Sequence, residues 1–292
     1  MNEWPKLAEH LAERIGPFNY AETMAPDHAT TLTRQAIRMG ADLVIAVGGD
    51  GTLNEVVNGF CGVEGSISTH VSLGMISLGT GSDFVRSLPA SGTHGVDRIA
   101  SGATRRIDLG RVTYLDDDGQ ERFRLFANVA SFGVSGEIDR ALNTTRHPRF
   151  LPRKAQFLAA TVAKLMAFRS QKIRMIIDDG PAISATIVVV AVANGRYFGG
   201  GMQIAPDAEL DDGLFDIVTL QGTSKLVLLR DLQMVYTGRH RDHPAISIRR
   251  GRRITVEPFD QARPILIDLD GEAPGRLPAT YDLLPRVLNF RC

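Results

Sequence analysis

The stretch VIAVGGDGTLNEVVNG, residues 44–59, joins an apolar run to an amphipathic segment through a glycine turn. A buried strand that ends in glycines and leads at once into a helix exposes backbone N–H groups at the helix start, where the macrodipole favours an anion. Phosphate is the ligand that such a turn typically binds. The alternative is a plain βα turn, in which the glycines only supply unusual backbone angles.

Length, charge and cysteine content limit the class of protein. The chain has 292 residues, enough for two domains, and its 33 basic residues balance 33 acidic ones. This balance carries no global signal for a nucleic-acid partner. The two cysteines, Cys61 and Cys292, are too few for a disulfide framework or a thiolate metal site, which fits a reducing cytoplasm. We therefore expect a cytoplasmic protein that does not bind nucleic acid.

The chain shows no pattern for crossing a membrane. Residues 1–16 carry charges throughout and lack the apolar core of a signal peptide. The most apolar internal run, residues 187–193, is far shorter than the roughly 20 residues of a spanning helix. We expect no transmembrane segment, so any membrane contact would be peripheral, at the inner face.

Helix and strand patterns alternate over residues 1–104. Helices are predicted over 4–15, 28–40 and 53–60, and strands over 18–24, 42–49 and 71–81. Strands alternating with short helices predict an α/β fold, here a three-layer nucleotide-binding domain with a parallel sheet. Ligands of such sheets bind at the carboxyl ends of the strands, where this chain places its glycine turns.

Strand patterns dominate from about residue 105. Residues 105–133 read as a hairpin with Asp118-Gly119 as its turn, and only two longer helices follow, near 152–170 and 225–236. We predict a larger antiparallel, β-sandwich-like domain over residues 105–280. The C-terminal residues 281–292 read as a strand that returns to complete the first domain.

A second glycine turn, LGTGSDFVRSL at residues 78–88, has the same form as the first. Four side chains of the two turns can bind a ligand or cap the helices that follow, namely Thr52, Thr80, Ser82 and Asp83. Two such turns on neighbouring strands favour a ligand. Asp50 would repel a phosphate unless a divalent cation or a hydroxyl proton lay between them, which favours a nucleotide with Mg²⁺.

Several common nucleotide and hydrolase motifs are absent from the sequence. It contains no G-x-x-x-x-G-K-[ST] loop, and GGDGTLNE lacks the G-x-G-x-x-G spacing of a dinucleotide fingerprint. A G-x-S-x-G nucleophile elbow is missing too. P-loop, Rossmann and serine-hydrolase functions are therefore disfavoured.

Two acidic groups are candidates for metal binding or catalysis. The segment APDAELDDGLFDIVTL, residues 205–220, can offer a hard cation its carboxylates, or form a solvated turn at Asp212-Gly213. In PILIDLDGE, strand periodicity places Asp268 and Asp270 on one face, and Glu272 follows a flexible glycine. Because acids at the end of an apolar strand are costly to bury, a site is favoured there. One of these carboxylates could accept a proton from an attacking hydroxyl.

A basic, partly apolar segment, RALNTTRHPRFLPRKAQFL at residues 140–158, precedes the first of the two longer helices. Its cations and apolar side chains could touch an anionic membrane surface. A solvated helix cap is the alternative.

Together these segments resemble the diacylglycerol kinase catalytic-domain family, in its bacterial soluble lipid kinase branch, which is related to sphingosine and ceramide kinases. Five motifs carry the resemblance in order, at residues 47–59, 77–88, 126–139, 192–217 and 269–272. GGDG alone also occurs in NAD kinases and phosphofructokinases. The long stretch GRYFGGGMQIAPDAELDDG, however, resembles the lipid kinases.

The resemblance implies a set of site residues. ATP would bind between the two domains on these residues: Thr23, Gly48, Gly49, Asp50, Gly51, Thr52, Leu53, Asn54, Glu55, Gly79, Thr80 and Gly81. A structural Mg²⁺ would take the Asp212 side chain and the backbone of Glu209 and Leu214. Glu272 would accept the proton of the lipid hydroxyl, with the acid Asp270 beside it.

The expected function is that of an ATP- and Mg²⁺-dependent lipid kinase, with diacylglycerol as the default acceptor and phosphatidic acid as product. Family members usually begin with a strand and an N-P-x-x-G-like loop, whereas this sequence begins at the first helix. We interpret this as a misplaced start; a non-catalytic nucleotide-binding regulatory module is the alternative. Phosphatidylglycerol, sphingoid bases and NAD remain alternative acceptors, and an exposed sheet edge would allow a homodimer.

Overall fold

The structure is a computed structural model that describes residues 4–62, 65–78, 82–88, 95–144, 153–222 and 224–292. Three predicted nucleotide-binding residues, Gly79, Thr80 and Gly81, lie outside the described residues. The same holds for residues 145–152, the middle of the basic segment.

Helices and strands alternate at the start of the chain, and strands dominate after residue 104. The helices are α1 (Trp4–Ile15), α2 (His28–Arg38), α3 (Asp50–Gly59), α4 (Asp83–Ser87), α5 (Gly95–Ala100), α6 (Val134–Thr144), α7 (Arg153–Ala167) and α8 (Lys225–Tyr236). A 3₁₀ helix spans Arg239–Asp242. The strands are β1 (Leu43–Gly48), β2 (Ser72–Ser77), β3 (Thr104–Leu115), β4 (Glu121–Phe126), β5 (Val129–Gly133), β6 (Gln171–Ile177), β7 (Ile183–Ala193), β8 (Phe215–Gln221), β9 (Ile246–Gly251), β10 (Arg253–Pro258), β11 (Ile267–Leu269) and β12 (Arg276–Arg291).

The first part of the chain has the predicted three layers. β1 and β2 pair in parallel; β2 buries both faces of its apolar run, and β1, at the edge of the sheet, is partly buried on both. Helices α2 and α3 cover one face, where Leu53 and Val57 pack with Leu73. Helices α1 and α5 cover the other face, where Leu11 and Ile99 join the core. The α/β prediction with parallel strands is thereby confirmed.

The C-terminal strand returns to the first sheet, as the sequence indicates. Near its end β12 pairs in parallel with β2, where Asn289 lies opposite Ser72 and Phe290 opposite Leu73. On its other side β12 pairs antiparallel with β3. Leu288 and Phe290 lie on the same face of the strand and are fully buried in the core, which anchors the strand. The division into domains at residues 104 and 281 stays a prediction.

The strand-rich second part is antiparallel, as expected. Strands β10, β6, β7, β5 and β11 are neighbours in that order, and β8 pairs with β7 and β9. Its core holds the large buried rings of Phe126, Phe132, Phe215 and Tyr281. Within the described ranges, no helix has the length and apolar character needed to span a bilayer.

The strand predicted over residues 18–24 is wrong. These residues form no regular element, and Tyr20 and Met24 are 64% and 83% exposed. The aromatic side chains pack on α1 instead of entering a sheet: the ring centroids of Phe18 and Tyr20 lie 6.5 and 5.3 Å from that of Trp4. Thr23 is thus an exposed loop residue and does not end a strand.

Candidate functional site

The turn between β1 and α3 forms an open helix start. Gly49 is the N-cap residue of α3, with no side-chain cap, and its carbonyl accepts the N–H of Leu53 at 3.1 Å. The N–H groups of the first helical residues have no carbonyl partner within a helix and point outward. A Cβ at Gly48 would lie 2.5 Å from Thr52 Oγ1, so the turn needs glycine there, while Gly49 faces open space. This geometry suits an anion.

Asp50 uses its carboxylate to cap α4. Its Oδ2 accepts the N–H of Asp83 at 3.0 Å, and its Oδ1 accepts that of Phe84 at 3.1 Å. The acid therefore faces the positive end of a short helix. This contact accounts for an acid beside the glycine turn, while a nucleotide with Mg²⁺ at the turn stays a prediction. Asp83 in turn accepts the N–H of Gly200 at 2.7 Å, which ties α4 to a glycine loop.

Three other residues predicted to hold the nucleotide make structural contacts. Leu53 is 1% exposed and packs in the core. Glu55 Oε2 accepts the N–H of Ala29 at 2.9 Å and so caps the start of α2. Asn54 is buried and donates to Leu125 O at 3.1 Å. Like the exposed Thr23, none of these side chains lines the cavity that the described residues form beside the turn.

A tight hairpin turn presents the acids of the LDGE motif. Leu269 and Glu272 exchange both backbone hydrogen bonds, at 2.8 and 3.0 Å, around Asp270 and Gly271. Both central residues have positive φ, 49° and 92°, the geometry for which Asp-Gly is favoured. Gly271 is therefore the turn residue that brings Glu272 back alongside Leu269, not merely a flexible joint.

Asp270 is partly buried at this turn and held by two donors. Its carboxylate accepts Asn54 Nδ2 at 2.9 Å and the N–H of Val129 at 3.0 Å. Burial raises the pKa of Asp270 to about 7, against the effect of these hydrogen bonds. A carboxyl with such a pKa changes charge near neutral pH.

Glu272 lies over the start of α3. A Cβ at Gly51 would be 4.0 Å from Glu272 Oε1, so the acid is next to the glycine turn. Its Oε2 is 2.9 Å from Arg124 Nη1. Burial raises the pKa of Glu272, and the positive charge of Arg124 opposes that rise.

Our sequence analysis missed Arg124. This side chain joins Glu272 to two other parts of the chain, since its Nε donates to Asn54 Oδ1 at 3.1 Å and its Nη2 to Asp27 Oδ1 at 3.1 Å. The available signal was weak, because β4 reads ERFRLF, in which Arg124 lies between two apolar residues but follows a second cation, Arg122. That pattern shows a charge that needs partners but does not say which ones.

A cavity of about 1010 Å³ begins at the glycine turn and extends into an apolar chamber. Gly49, Gly51 and Thr52 line one end, next to Asp270 and Gly271. Apolar side chains of α6, α7, α8 and the sheet form the far walls, among them Ile138, Leu142, Leu165, Val189, Val218 and Leu228. The cavity therefore joins the open glycine turn and Asp270 to a chamber suited to a long apolar group, while Glu272 lies beside the turn and is not among the lining residues.

The predicted metal loop lies outside this cavity. Asp212 accepts the N–H of Leu214 at 3.0 Å and pairs with Arg250. Buried Asp108 and Asp216 lie close enough that the charge of Asp212 adds to the effect of burial, which raises the pKa of both. Over the described ranges, no group of three or more His, Cys, Asp or Glu side chains is arranged to hold a metal. One carboxylate with the carbonyls of Glu209 and Leu214 is still a hard-oxygen donor set of the kind Mg²⁺ accepts.

Comparison with known proteins gives two family matches that together cover most of the chain. Residues 1–112 match the family described as "Diacylglycerol kinase catalytic domain". Residues 128–292 match the "YegS C-terminal NAD kinase beta sandwich-like domain".

Curated relatives and solved structures agree with these matches. A diacylglycerol kinase of Mycobacterium tuberculosis is 31% identical over 89% of this chain and 80% of its own length. One of Bacillus subtilis is 29% identical over 96% of this chain and 90% of its own. A solved Bacillus anthracis structure described as a diacylglycerol kinase has a TM-score of 0.67 at 21% identity, covering 97% of this chain and 87% of its own. At that identity the likeness shows a shared fold.

Proposed function

The chain belongs to the diacylglycerol kinase family, and from that premise we propose that it transfers the γ-phosphate of ATP to a lipid hydroxyl. Diacylglycerol is the first acceptor to test, with phosphatidic acid as product. The observation that carries the proposal is the cavity, because it joins the open glycine turn to an apolar chamber, with Asp270 in its lining and Glu272 beside the turn. A kinase for a soluble acceptor has no use for such a chamber.

The glycine turn is the proposed phosphate site. The free N–H groups at the start of α3 would bind phosphate oxygens, and Gly49 leaves room for them. Bound Mg-ATP would supply the phosphoryl group, and the protein would contribute positioning and charge. The proposed site also includes Gly48, Gly51 and Thr52, which lie in the same turn. The other predicted residues of this stretch have structural side-chain contacts that hold α3 in place, namely Leu53, Asn54 and Glu55.

Glu272 is the proposed base. It lies beside the glycine turn and is kept near its partner Arg124, so its carboxylate can take the proton of a lipid hydroxyl that reaches the cavity. Asp270 lines the cavity next to this acid, is held by Asn54 and Val129, and contributes to the charge around the base. Burial raises the pKa of both acids, that of Asp270 to about 7, which suits proton transfer at this turn.

The Asp212 loop is proposed as a structural Mg²⁺ site, with the carbonyls of Glu209 and Leu214. Its distance from the cavity lining gives it no part in the proton transfer. Its oxygen donors support this role, with the buried carboxylate of Asp216 nearby, whose Oδ2 lies 3.5 Å from Arg250 Nε. Membrane contact at the cavity mouth would be peripheral.

Transfer of labelled γ-phosphate from Mg-ATP to a panel of lipids in mixed micelles tests the proposal. The panel contains diacylglycerol, phosphatidylglycerol, a sphingoid base and ceramide, with NAD as the soluble alternative. We expect label in a lipid, and loss of at least about 10²-fold in Glu272→Gln, since removing a base typically costs that much. Glu257→Gln is the matched control, because Glu257 is 56% exposed and pairs only with surface Arg174 among the described residues.

Each outcome of this assay has a defined meaning. Label in a lipid with an unaffected Glu272→Gln protein would move the base to another acid. ATP binding by calorimetry with no label in any acceptor would favour the non-catalytic regulatory module. Label in NAD alone would replace the lipid proposal.

A further inference from the structure

The buried side chain of Asp268 holds the turn that carries the two acids. It lies in β11 and is 4% exposed. Its Oδ1 accepts the N–H of Gly271 at 2.9 Å, inside the Asp270-Gly271 turn. Its Oδ2 accepts the hydroxyl of Ser131 at 2.7 Å. Burial raises the pKa of Asp268, and these two hydrogen bonds, which favour the ionised form, oppose that rise.

A second acid reaches Asp268 from α6. Asp139 and Asp268 lie close enough for their carboxyls to interact, and both line the same cavity. Two carboxyl oxygens attract one another only when a proton lies between them. Because Asp268 already accepts two other donors, the proton belongs to Asp139. Burial, and after it the charge of Asp268, also raises the pKa of Asp139 well above its usual range.

This contact connects the wall of the apolar chamber to the turn. Asp139 is flanked on α6 by Ile138 and Leu142, whose side chains line the chamber. Ser135, one turn earlier on the helix, lies 2.7 Å from Ser131 between their hydroxyl oxygens. Helix α6 is thus joined to β5 and β11 by a short polar chain in an otherwise apolar wall. Such a buried polar link fixes orientation when every member is satisfied.

We propose that Asp139 and Asp268 are positioning residues for phosphoryl transfer. Neutral Asp139 donates to ionised Asp268, which holds the N–H of Gly271 and so sets the position of the turn. That turn aims Asp270 and Glu272 at the lipid hydroxyl while α6 contacts the lipid's apolar part. The inference rests on the proposed lipid kinase function and adds to it a link between the lipid chamber and the base.

Because Asp139 is neutral and Asp268 is ionised, replacement by asparagine should affect the two residues differently. Asp139→Asn keeps a donor toward Asp268, so the link survives. Asp268→Asn leaves one acceptor oxygen for the three groups that face the ionised carboxylate, namely the N–H of Gly271, the Ser131 hydroxyl and Asp139, so at least one of them loses its acceptor and the link is weakened. Asp139→Leu removes the link while keeping the side chain's approximate volume.

Steady-state kinetics on the lipid that wild type phosphorylates tests this asymmetry. We expect kcat to fall about 10²-fold in Asp139→Leu and in Asp268→Asn, as for a small misplacement of a reacting group, with KM for ATP changed less than about threefold. Asp139→Asn should retain kcat within about threefold of wild type. Asp179→Leu, at an exposed position in the turn between β6 and β7, is the matched control. The proposal would be overturned if Asp139→Asn and Asp139→Leu lowered kcat equally. It would also be overturned if neither Asp139→Leu nor Asp268→Asn lowered kcat.

Hydrogen exchange of the peptide spanning residues 269–275 provides a readout that does not need the kinase reaction. Faster exchange of the Gly271 amide is expected in Asp268→Asn and Asp139→Leu, and wild-type exchange in Asp139→Asn and Asp179→Leu. If wild type phosphorylates no lipid, the proposed function fails, and exchange alone still decides whether the link holds the turn. Wild-type exchange at Gly271 in both disruptive variants would reject the link even in an active kinase. Because both asparagine variants keep the shape of the residue they replace, they remain informative where Asp139→Leu fails to fold.

Discussion

Arg124 Nη1 lies 2.9 Å from Glu272 Oε2, so a cation on β4 holds the acid that follows the LDGE turn. The pair is mostly withdrawn from solvent, with 14% of the arginine and 33% of the glutamate side chain exposed. Charges in such surroundings interact more strongly than surface pairs do. Arg124 therefore both orients Glu272 and keeps it ionised against the effect of burial.

Replacing Arg124 should shift the pH dependence of lipid phosphorylation. In Arg124→Gln the pKa of Glu272 rises further, because the cation that lowers it is gone. A base must be ionised to act. As the solution is acidified, Arg124→Gln should therefore lose its phosphorylation rate at a higher pH than wild type does. We expect the loss relative to wild type to be larger at about pH 6 than at about pH 8. Arg122→Gln is the control, since Arg122 is 63% exposed and pairs with Asp116; equal pH profiles for both variants would refute the role of Arg124.

Removing the Asp50 carboxylate should destabilise the protein. Asp50→Ala deletes the acceptor of two N–H groups at the start of α4. We expect the free energy of unfolding in urea to fall by about 1–2 kcal/mol, the usual cost of losing a helix cap. Asp50→Asn keeps one acceptor oxygen and should lose less. A stability equal to wild type in Asp50→Ala would show that the cap is dispensable.

Ionisation of Asp270 should make the protein less stable as pH rises. Its folded-state pKa is raised from 3.8 to about 7, so the folded protein binds the proton more tightly than the unfolded chain. Stability is then greatest below the ordinary carboxyl pKa, falls as pH rises toward about 7, and levels off above it. Between about pH 5 and pH 8 this amounts to roughly 2–3 kcal/mol.

Asp270→Asn isolates that contribution, because asparagine does not titrate while the other buried acids stay in place. The free energy of unfolding should fall more steeply with pH in wild type than in the variant. Urea titrations at several pH values measure both slopes. Parallel slopes would mean that Asp270 ionises at its ordinary pKa in the folded protein.

Narrowing the apolar chamber should affect long acyl chains first. Leu142→Trp adds bulk to the wall formed by α6. We expect kcat/KM to fall by about tenfold or more for long-chain diacylglycerol and less for a short-chain analogue, with ATP binding unaffected. Leu226→Trp is the control, because Leu226 is 75% exposed on α8. Equal losses for both chain lengths would argue against the chamber as the acyl site.

The proposed Mg²⁺ loop predicts ligand-linked stability. Added Mg²⁺ should raise the melting temperature of wild type, since an ion that binds only the folded state stabilises it. Asp212→Ala should abolish the shift. Asp211→Ala should retain it, because Asp211 is bonded to Arg105 Nε at 2.6 Å. The same Mg²⁺ response in wild type and Asp212→Ala would exclude this residue as a ligand.

Much of the fold could be predicted because its signals are local. The glycine turn after β1, the helix α2 ended by Gly40, and the hairpin at Gly119 each depend on neighbours in the sequence and on backbone angles that glycine allows. The acids of LDGE were recognisable for the same reason. They directly follow an apolar strand, and that signal can be read from a few neighbouring residues. The strand predicted over residues 18–24 failed because a strand also needs a partner.

The sequence by itself determined which residues turn, which are buried and which acids are available. Only the tertiary structure decided the partners of those acids: Asp50 caps a helix 33 residues away, and Asp270 bonds Asn54 across 216 residues. Arg124 and Asp139 gained their roles in the same way. The physical reason is that turns and periodicity arise from short-range sterics and burial, whereas a buried polar group takes whichever partner the packed elements bring within hydrogen-bond distance.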